Sequence, residues 1–157
     1  VNIETNHGNI SFDLLPDLAP ETVRNFVKLA KEGFYDGTLF HRVIPGFMIQ
    51  GGDPNTKDPN MKSQWGMGGP GYNVKAEFSS RSHLRGIVSM ARAMDPDSAG
   101  SQFFIVTKDS TFLDREYTVF GVVTEGMDIA DKIVSLDRDN NDCPLQDAKM
   151  VKVSVSE

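Results

Sequence analysis

The stretch Phe40-His41-Arg42-Val43-Ile44-Pro45-Gly46-Phe47-Met48-Ile49-Gln50-Gly51-Gly52-Asp53 decides how this chain is read. In an extended segment Arg42 and Ile44 share one face, while His41 and Val43 take the other. Pro45-Gly46 then turns the chain, and Phe47, Met48 and Gln50 return beside Arg42. Two readings stay open on these residues alone. One is a hairpin with a surface arginine and core aromatics; the other is a cationic fork over an apolar pocket.

A second stretch has the same character. Met90-Ala91-Arg92-Ala93 is followed, after the acidic turn Asp95-Pro96-Asp97, by Gly100-Ser101-Gln102-Phe103-Phe104-Ile105-Val106. Alternation places Gln102 and Phe104 on one face and Phe103 and Ile105 on the other, so two successive phenylalanines can line both an interior and an outer pocket.

The remainder of the chain builds a frame around these two stretches. Val1 to Thr5 and Ile10 to Leu14 alternate around the turn-forming Asn6-His7-Gly8-Asn9 and predict a hairpin. Pro20 and Glu21 start a helix that Gly33 stops, with Val23, Phe26, Val27 and Ala30 as its apolar stripe. A shorter helix is predicted over Asp128 to Val134, with Met127, Ala130 and Val134 inward. Further strands are expected at Leu39–Ile44, Phe47–Gln50, Ile87–Ala91, Gln102–Val106 and Val119–Thr124, and last through Val151, Val153 and Val155. The expectation is a mainly β fold, a closed eight-stranded antiparallel barrel capped by two helices, forming one domain over residues 1–157. The irregular stretch Asp53 to Tyr72 is too long for an idle connection in a compact domain.

Composition narrows the function. The chain has 157 residues, 16 Lys and Arg against 22 Asp and Glu, and a net charge of -6. That balance argues against a nucleic-acid binder, which carries a basic surplus or patch. No apolar run has the length of a membrane helix. One cysteine, Cys143, forms no internal disulfide and suits a reducing compartment, so cytoplasmic localisation is expected. Asn9-Ile10-Ser11 has the pattern of a glycosylation acceptor, but no export signal accompanies it.

The common catalytic motifs fail on their context. Gly66-Met67-Gly68-Gly69-Pro70-Gly71 fits G-x-G-x-x-G, yet Pro70 and a strand-like Tyr72-Asn73-Val74-Lys75 follow where a dinucleotide site needs a helix. Asp137, Asp139 and Asn141 open like a calcium loop, but Asp142 stands where Gly is needed and Ala148 where Glu is needed. His7, His41 and His83 are scattered, and no nucleophile elbow or Cys-His signature occurs. No cofactor or metal is expected.

The run from Phe40 to Asp53, with Gly100–Phe104, Phe112-Leu113-Asp114, Val119-Phe120-Gly121 and the helix opening Ala19–Phe26, resembles the cyclophilin family of peptidyl-prolyl cis-trans isomerases along essentially the whole chain. The resemblance implies a proline site on the outer face of the barrel. It implies that Arg42 is the catalytic arginine and that Phe47, Met48, Phe104 and Leu113 are the walls of the proline pocket. Gln50 and Gln102 match the polar groups that hold the peptide and the arginine. Ala91 and Arg92 match the strand whose backbone pairs with the substrate. Partners are then proline-containing peptides and unfolded proteins, handled by a monomer.

Three positions depart from the best-known family pattern. Phe112 stands where tryptophan is common, Tyr117 where histidine is common, and Arg92 where asparagine is common. Phe112 keeps a pocket wall but lacks the indole N–H that contributes to binding cyclosporin, the family's inhibitor, so weakened cyclosporin binding is expected. Tyr117 is expected to preserve the pocket floor. Arg92 is expected to act mainly through its backbone, with a side chain that favours acidic substrates. Two readings compete with the enzyme: a proline-peptide-binding module recruited through residues 53–72, and a small-ligand carrier. The carrier is disfavoured because Phe and Ile fill the interior positions.

Overall fold

A computed structural model describes residues 1–156 of the chain. Eight strands are present: β1 (Asn2–Thr5), β2 (Gly8–Leu14), β3 (Phe40–Ile44), β4 (Met48–Gly51), β5 (Ile87–Met90), β6 (Phe103–Val106), β7 (Val119–Glu125) and β8 (Met150–Ser154). They form one sheet in the order β3-β4-β6-β5-β7-β2-β1-β8, and every pairing is antiparallel. The two end strands meet through a short seam. A bridge joins Leu39 to Lys149, Phe40 N donates to Ala148 O at 2.8 Å, and Met150 N donates to Thr38 O at 2.8 Å. The sheet is thereby nearly closed into the expected barrel.

Helix α1 (Pro20–Lys31) has Pro20 in its first turn and buries Thr22, Val23, Phe26, Leu29 and Ala30. Its N-cap residue, Ala19, offers no side-chain acceptor, and Glu77 supplies one from a distant loop. The Glu77 carboxylate accepts from Thr22 N at 2.7 Å and Thr22 Oγ1 at 2.8 Å. Helix α2 (Met127–Val134) buries Ala130, Ile133 and Val134. Met127, expected inward, is only half-buried, and Ile133 takes its place in the core.

Alternation along β6 separates two apolar clusters. Phe103 and Ile105 point into the barrel, where Phe103, Phe26, Tyr35 and Phe120 meet mostly edge to face. Phe104 and Val106 point outward into a second cluster with Met48, Ile87, Leu113 and Val119. The interior is filled by side chains.

Register shifts interrupt four pairings, and those in β3 and β8 alter the predicted alternation most directly. In β3, Phe40 pairs with Gly51 and Arg42 with Gln50, so two residues of β3 face one step of β4 and His41 is the extra residue. Phe40 and Val43 can therefore both reach the core, three apart, while Arg42 is turned outward. In β8, Lys152 pairs with Glu4 and Met150 with Thr5, which leaves Val151 unpaired and 47% exposed. Met150 and Val153 are consequently the buried residues of this last strand, with Val155 packed half-buried just past its end.

The stretch from Asp53 to Tyr72 is ordered by two short 3-10 helices, Pro54–Lys57 and Pro59–Gln64. Each begins with Asp-Pro-Asn, and each aspartate side chain caps its own helix by accepting from the asparagine N–H. Trp65 closes the loop. Its indole Nε1 donates to Asp58 O at 3.2 Å, and Lys62 Nζ lies 5.7 Å from its ring.

Candidate active site

Strand register assembles the site as a row across the outer face. Arg42 pairs with Gln50, Gln50 with Phe104, and Phe104 with Ser89. Paired residues project to the same face of a sheet, so a cation, an amide and an aromatic ring stand side by side about 4.8 Å apart per strand. The bulge at His41 aims the arginine onto this face.

Side-chain hydrogen bonds run along the same row. Arg42 Nη1 donates to Gln50 Oε1 at 3.2 Å, and Gln50 Nε2 donates to Gln102 Oε1 at 3.0 Å. Gln102 Nε2 donates to the carbonyls of Gly66 and Gly68, each at 2.9 Å. Gln102 and Ala91 lie just past the ends of their strands, but Ala91 N still donates to Gln102 O at 3.0 Å. The G-x-G-x-x-G stretch is thus a backbone acceptor for the site. No helix follows it, and Val74 instead bridges to Ala99.

Beside the polar row lies the outer apolar cluster. Met48, Phe104 and Leu113 are buried in the outer cluster, with Phe47, Ala91 and Tyr117 packed half-buried against it. Phe112 is 69% exposed and tilts against Phe47 with ring centroids 5.4 Å apart. Tyr117 meets Phe104 edge-on at 5.8 Å. A groove of about 590 Å³, lined by Gln50, Gly66 to Asn73, Ala91 to Ala93 and Gly100 to Gln102, adjoins this row.

The Arg92 side chain, expected to favour acidic substrates, is drawn onto carbonyls of the protein itself. Its Nε and Nη2 both donate to Glu116 O, at 3.0 and 2.7 Å, and Nη1 donates to Ala93 O and Met94 O. The guanidinium lies 4.6 Å from the Tyr117 ring centroid. It clamps two loops together through their backbone carbonyls.

A polar layer that sequence reading missed lies beneath Phe104 of this cluster. His83 is fully buried and stacks on Phe104, with an interplanar angle of 18°. Its Nδ1 is 3.1 Å from Asp114 Oδ1, and its Nε2 is 3.0 Å from Ser89 Oγ, which donates to Thr118 O at 2.9 Å. Asp114 also accepts from Ser82 Oγ at 2.6 Å and His83 N at 2.7 Å. The Ser82 hydrogen bond, with His83 adding to it, holds the Asp114 carboxyl below its ordinary range. Burial keeps the His83 and His41 imidazoles below theirs. Burial also pushes the Cys143 thiol up, away from thiolate chemistry. In the calcium-like loop Asp139 accepts from Asn141 N and Cys143 N and so closes a turn. The described residues hold no group of three or more His, Cys, Asp or Glu placed to bind a metal. Among the described residues no helix is long and apolar enough to cross a membrane.

Comparison with known proteins gives one consistent result. The profile of the cyclophilin type peptidyl-prolyl cis-trans isomerase/CLD family matches residues 1–155. Peptidyl-prolyl cis-trans isomerase B of Bacillus subtilis is 51% identical over 126 residues, covering 78% of this chain and 82% of that protein. A probable peptidyl-prolyl cis-trans isomerase of Brucella suis is 43% identical over 161 residues, covering 99% of this chain and 81% of that protein. Among solved structures, a Cryptosporidium parvum cyclophilin type isomerase, crystallised in the presence of the dipeptide Ala-Pro, superposes with a TM-score of 0.89. It is 31% identical and covers 99% of this chain and 98% of that chain.

Proposed function

The chain belongs to the cyclophilin type of peptidyl-prolyl cis-trans isomerases, and we propose that Arg42 catalyses rotation about Xaa-Pro bonds by donating to the proline nitrogen of the twisted amide. Amide resonance gives that bond a rotation barrier of ~18–20 kcal/mol. Twisting breaks the resonance and localises a lone pair on the proline nitrogen. The nitrogen then accepts a hydrogen bond that neither planar form can accept. A donor aimed there binds the transition state more tightly than either ground state, which is the condition for catalysis. Arginine suits the task because it is always charged and its donors form a rigid fork.

The row Arg42–Gln50–Phe104 carries the reading. Gln50 occupies one guanidinium N–H and leaves the others for substrate, while the neighbouring apolar cluster of Phe47, Met48, Phe104 and Leu113 suits a proline ring. One or two charge-assisted hydrogen bonds at about 1.5–3 kcal/mol each supply roughly 10–10⁴-fold acceleration. A pocket with little water adds to this, because charge separation falls in the twisted amide. The Ala-Pro dipeptide of the C. parvum relative supports small proline peptides as ligands here. The loop of residues 53–72 is bonded into the site through Gln102, which favours the enzyme over a binding module that recruits partners with a separate arm.

Arg42 is exposed, so its removal leaves the core intact. Arg42→Ala is expected to lower the catalysed cis-to-trans rate of an Ala-Pro peptide by tenfold or more at unchanged melting temperature. A folded Arg42→Ala protein with the wild-type rate refutes the role of the arginine.

A further inference from the structure

Asp53 lies at the far end of the hydrogen-bond row from Arg42 and has 0% exposure. A buried carboxylate requires hydrogen bonds to replace its water. It accepts from three backbone N–H groups: Asn55 at 2.8 Å on Oδ1, and Gly66 at 2.5 Å and Gly68 at 3.2 Å on Oδ2. Gly66 and Gly68 are the same residues whose carbonyls receive Gln102.

This arrangement removes an ambiguity inherent in glutamine. A carboxamide donates at one end and accepts at the other, and a half-turn interchanges them. Arg42 can only donate, and the Gly66 and Gly68 carbonyls can only accept. Two glutamines in series satisfy both ends in a single orientation, with Gln50 Oε1 toward Arg42 and Gln102 Nε2 toward the glycines. Each amide dipole then lies between the Arg42 cation and the Asp53 anion in the favourable sense, so the bonds strengthen one another.

We propose that Asp53 is a positioning residue for the isomerase reaction: it fixes the Gly66–Gly68 turn, and through Gln102 and Gln50 it sets the direction in which Arg42 points. The proposal rests on the reading of Arg42 given above. Without the carboxylate the turn is released, either glutamine can reverse, and an amide NH2 then faces the guanidinium and displaces it. A misplacement of about 1 Å costs on the order of 10²-fold in rate.

The test is a mutant cycle on Ala-Pro peptide isomerisation with Asp53→Asn, Gln102→Ala and the double variant, together with the side-chain amide NMR signals of Gln50 and Gln102. Asp53→Asn is expected to lower kcat by about tenfold with little change in KM, and to shift both glutamine signals. In the Gln102→Ala background it is expected to add nothing, because the connection is already cut. Gly68→Ala gives a second entry that keeps the carboxylate: its Cβ would fall 2.1 Å from Asp53 Oδ1 and tilt the same turn, so it carries the test if Asp53→Asn does not fold. Folded variants with wild-type kcat, effects that multiply in the double variant, or unmoved glutamine signals overturn the proposal. Failure of the underlying reading looks different, since Arg42→Ala would then keep its rate while the glutamine signals of Asp53→Asn still shift.

Discussion

Lowering the pH from 7 to 5 is expected to destabilise the barrel through two buried histidines. His83 is packed on Phe104 between Asp114 and Ser89, and His41 occupies the bulge of β3 near Asp53 and Arg42. The single Ser89 hydroxyl proton is directed to Thr118 O. Only an imidazolium would therefore match all of the His83 contacts, but burial outweighs that match and holds the ring neutral. Both histidines have folded pKa values below 6.5, their ordinary value. The unfolded chain then binds protons that the fold does not, so stability falls as pH drops below 6.5 and keeps falling until the folded values are reached. For a ring that stays neutral in the fold down to pH 5, the loss is about 2 kcal/mol, so two rings set a ceiling of about 4 kcal/mol. That is a large share of a typical stability of about 5–15 kcal/mol. Asp114, Asp131 and Asp139 also have lowered values, but they start from 3.8 and lose their contribution only at more acid pH. Urea unfolding at pH 7, 6 and 5, followed by circular dichroism, measures the loss, and His83→Gln is expected to remove about half of it. Equal midpoints at pH 7 and 5, or an undiminished loss in His83→Gln, refute the reasoning.

Three further substitutions separate binding from folding. Phe112→Trp restores an indole N–H at an exposed rim position and is expected to tighten cyclosporin inhibition by about tenfold; nanomolar inhibition of the wild type that the substitution leaves unchanged contradicts the role of the missing donor. Leu113→Ala, at 6% exposure, is expected to cost about 2–5 kcal/mol in chemical denaturation and to raise KM more than it lowers kcat, because an apolar wall grips planar and twisted proline alike. Glu77→Ala strips the side-chain acceptor at the start of α1 and is expected to cost about 1–2 kcal/mol; an unchanged melting temperature shows that water caps the helix equally well.

Local signals carried much of the fold into the sequence. Pro20 and Gly33 marked α1, and the doublet Phe103-Phe104 already implied one inward and one outward ring. The bulges at His41 and Val151 were hidden, because a period-2 pattern assumes an unbroken ladder and register is a property of two strands. The site residues matched as a family pattern, yet their physical connection was not legible. Gln102 and Gly66 are 36 positions apart, and no periodicity joins them. His83 and Asp114 met for the same reason, across 31 positions. The loop did carry a readable sign, the repeated Asp-Pro-Asn at residues 53–55 and 58–60, which announces two capped turns. The contact of Arg92 with Glu116 O was not legible either, because its sequence neighbours do not show that this carbonyl lies within its reach.

The seam between β3 and β8 gives the strand that carries Arg42 an uneven suspension. On one side β3 is laced to β4 along its length; on the other it hangs from Phe40 N on Ala148 O and Val43 N on Asp142 O. Arg42 is thus borne by a beam clamped along one edge and pinned at two points along the other. β6, by contrast, is gripped on both flanks, by β4 and by β5. An isomerase must follow one nitrogen through two planar geometries and the twisted one between them. On the reading of Arg42 proposed above, the strand beneath the ring and the strand beneath the guanidinium are thus held to different degrees.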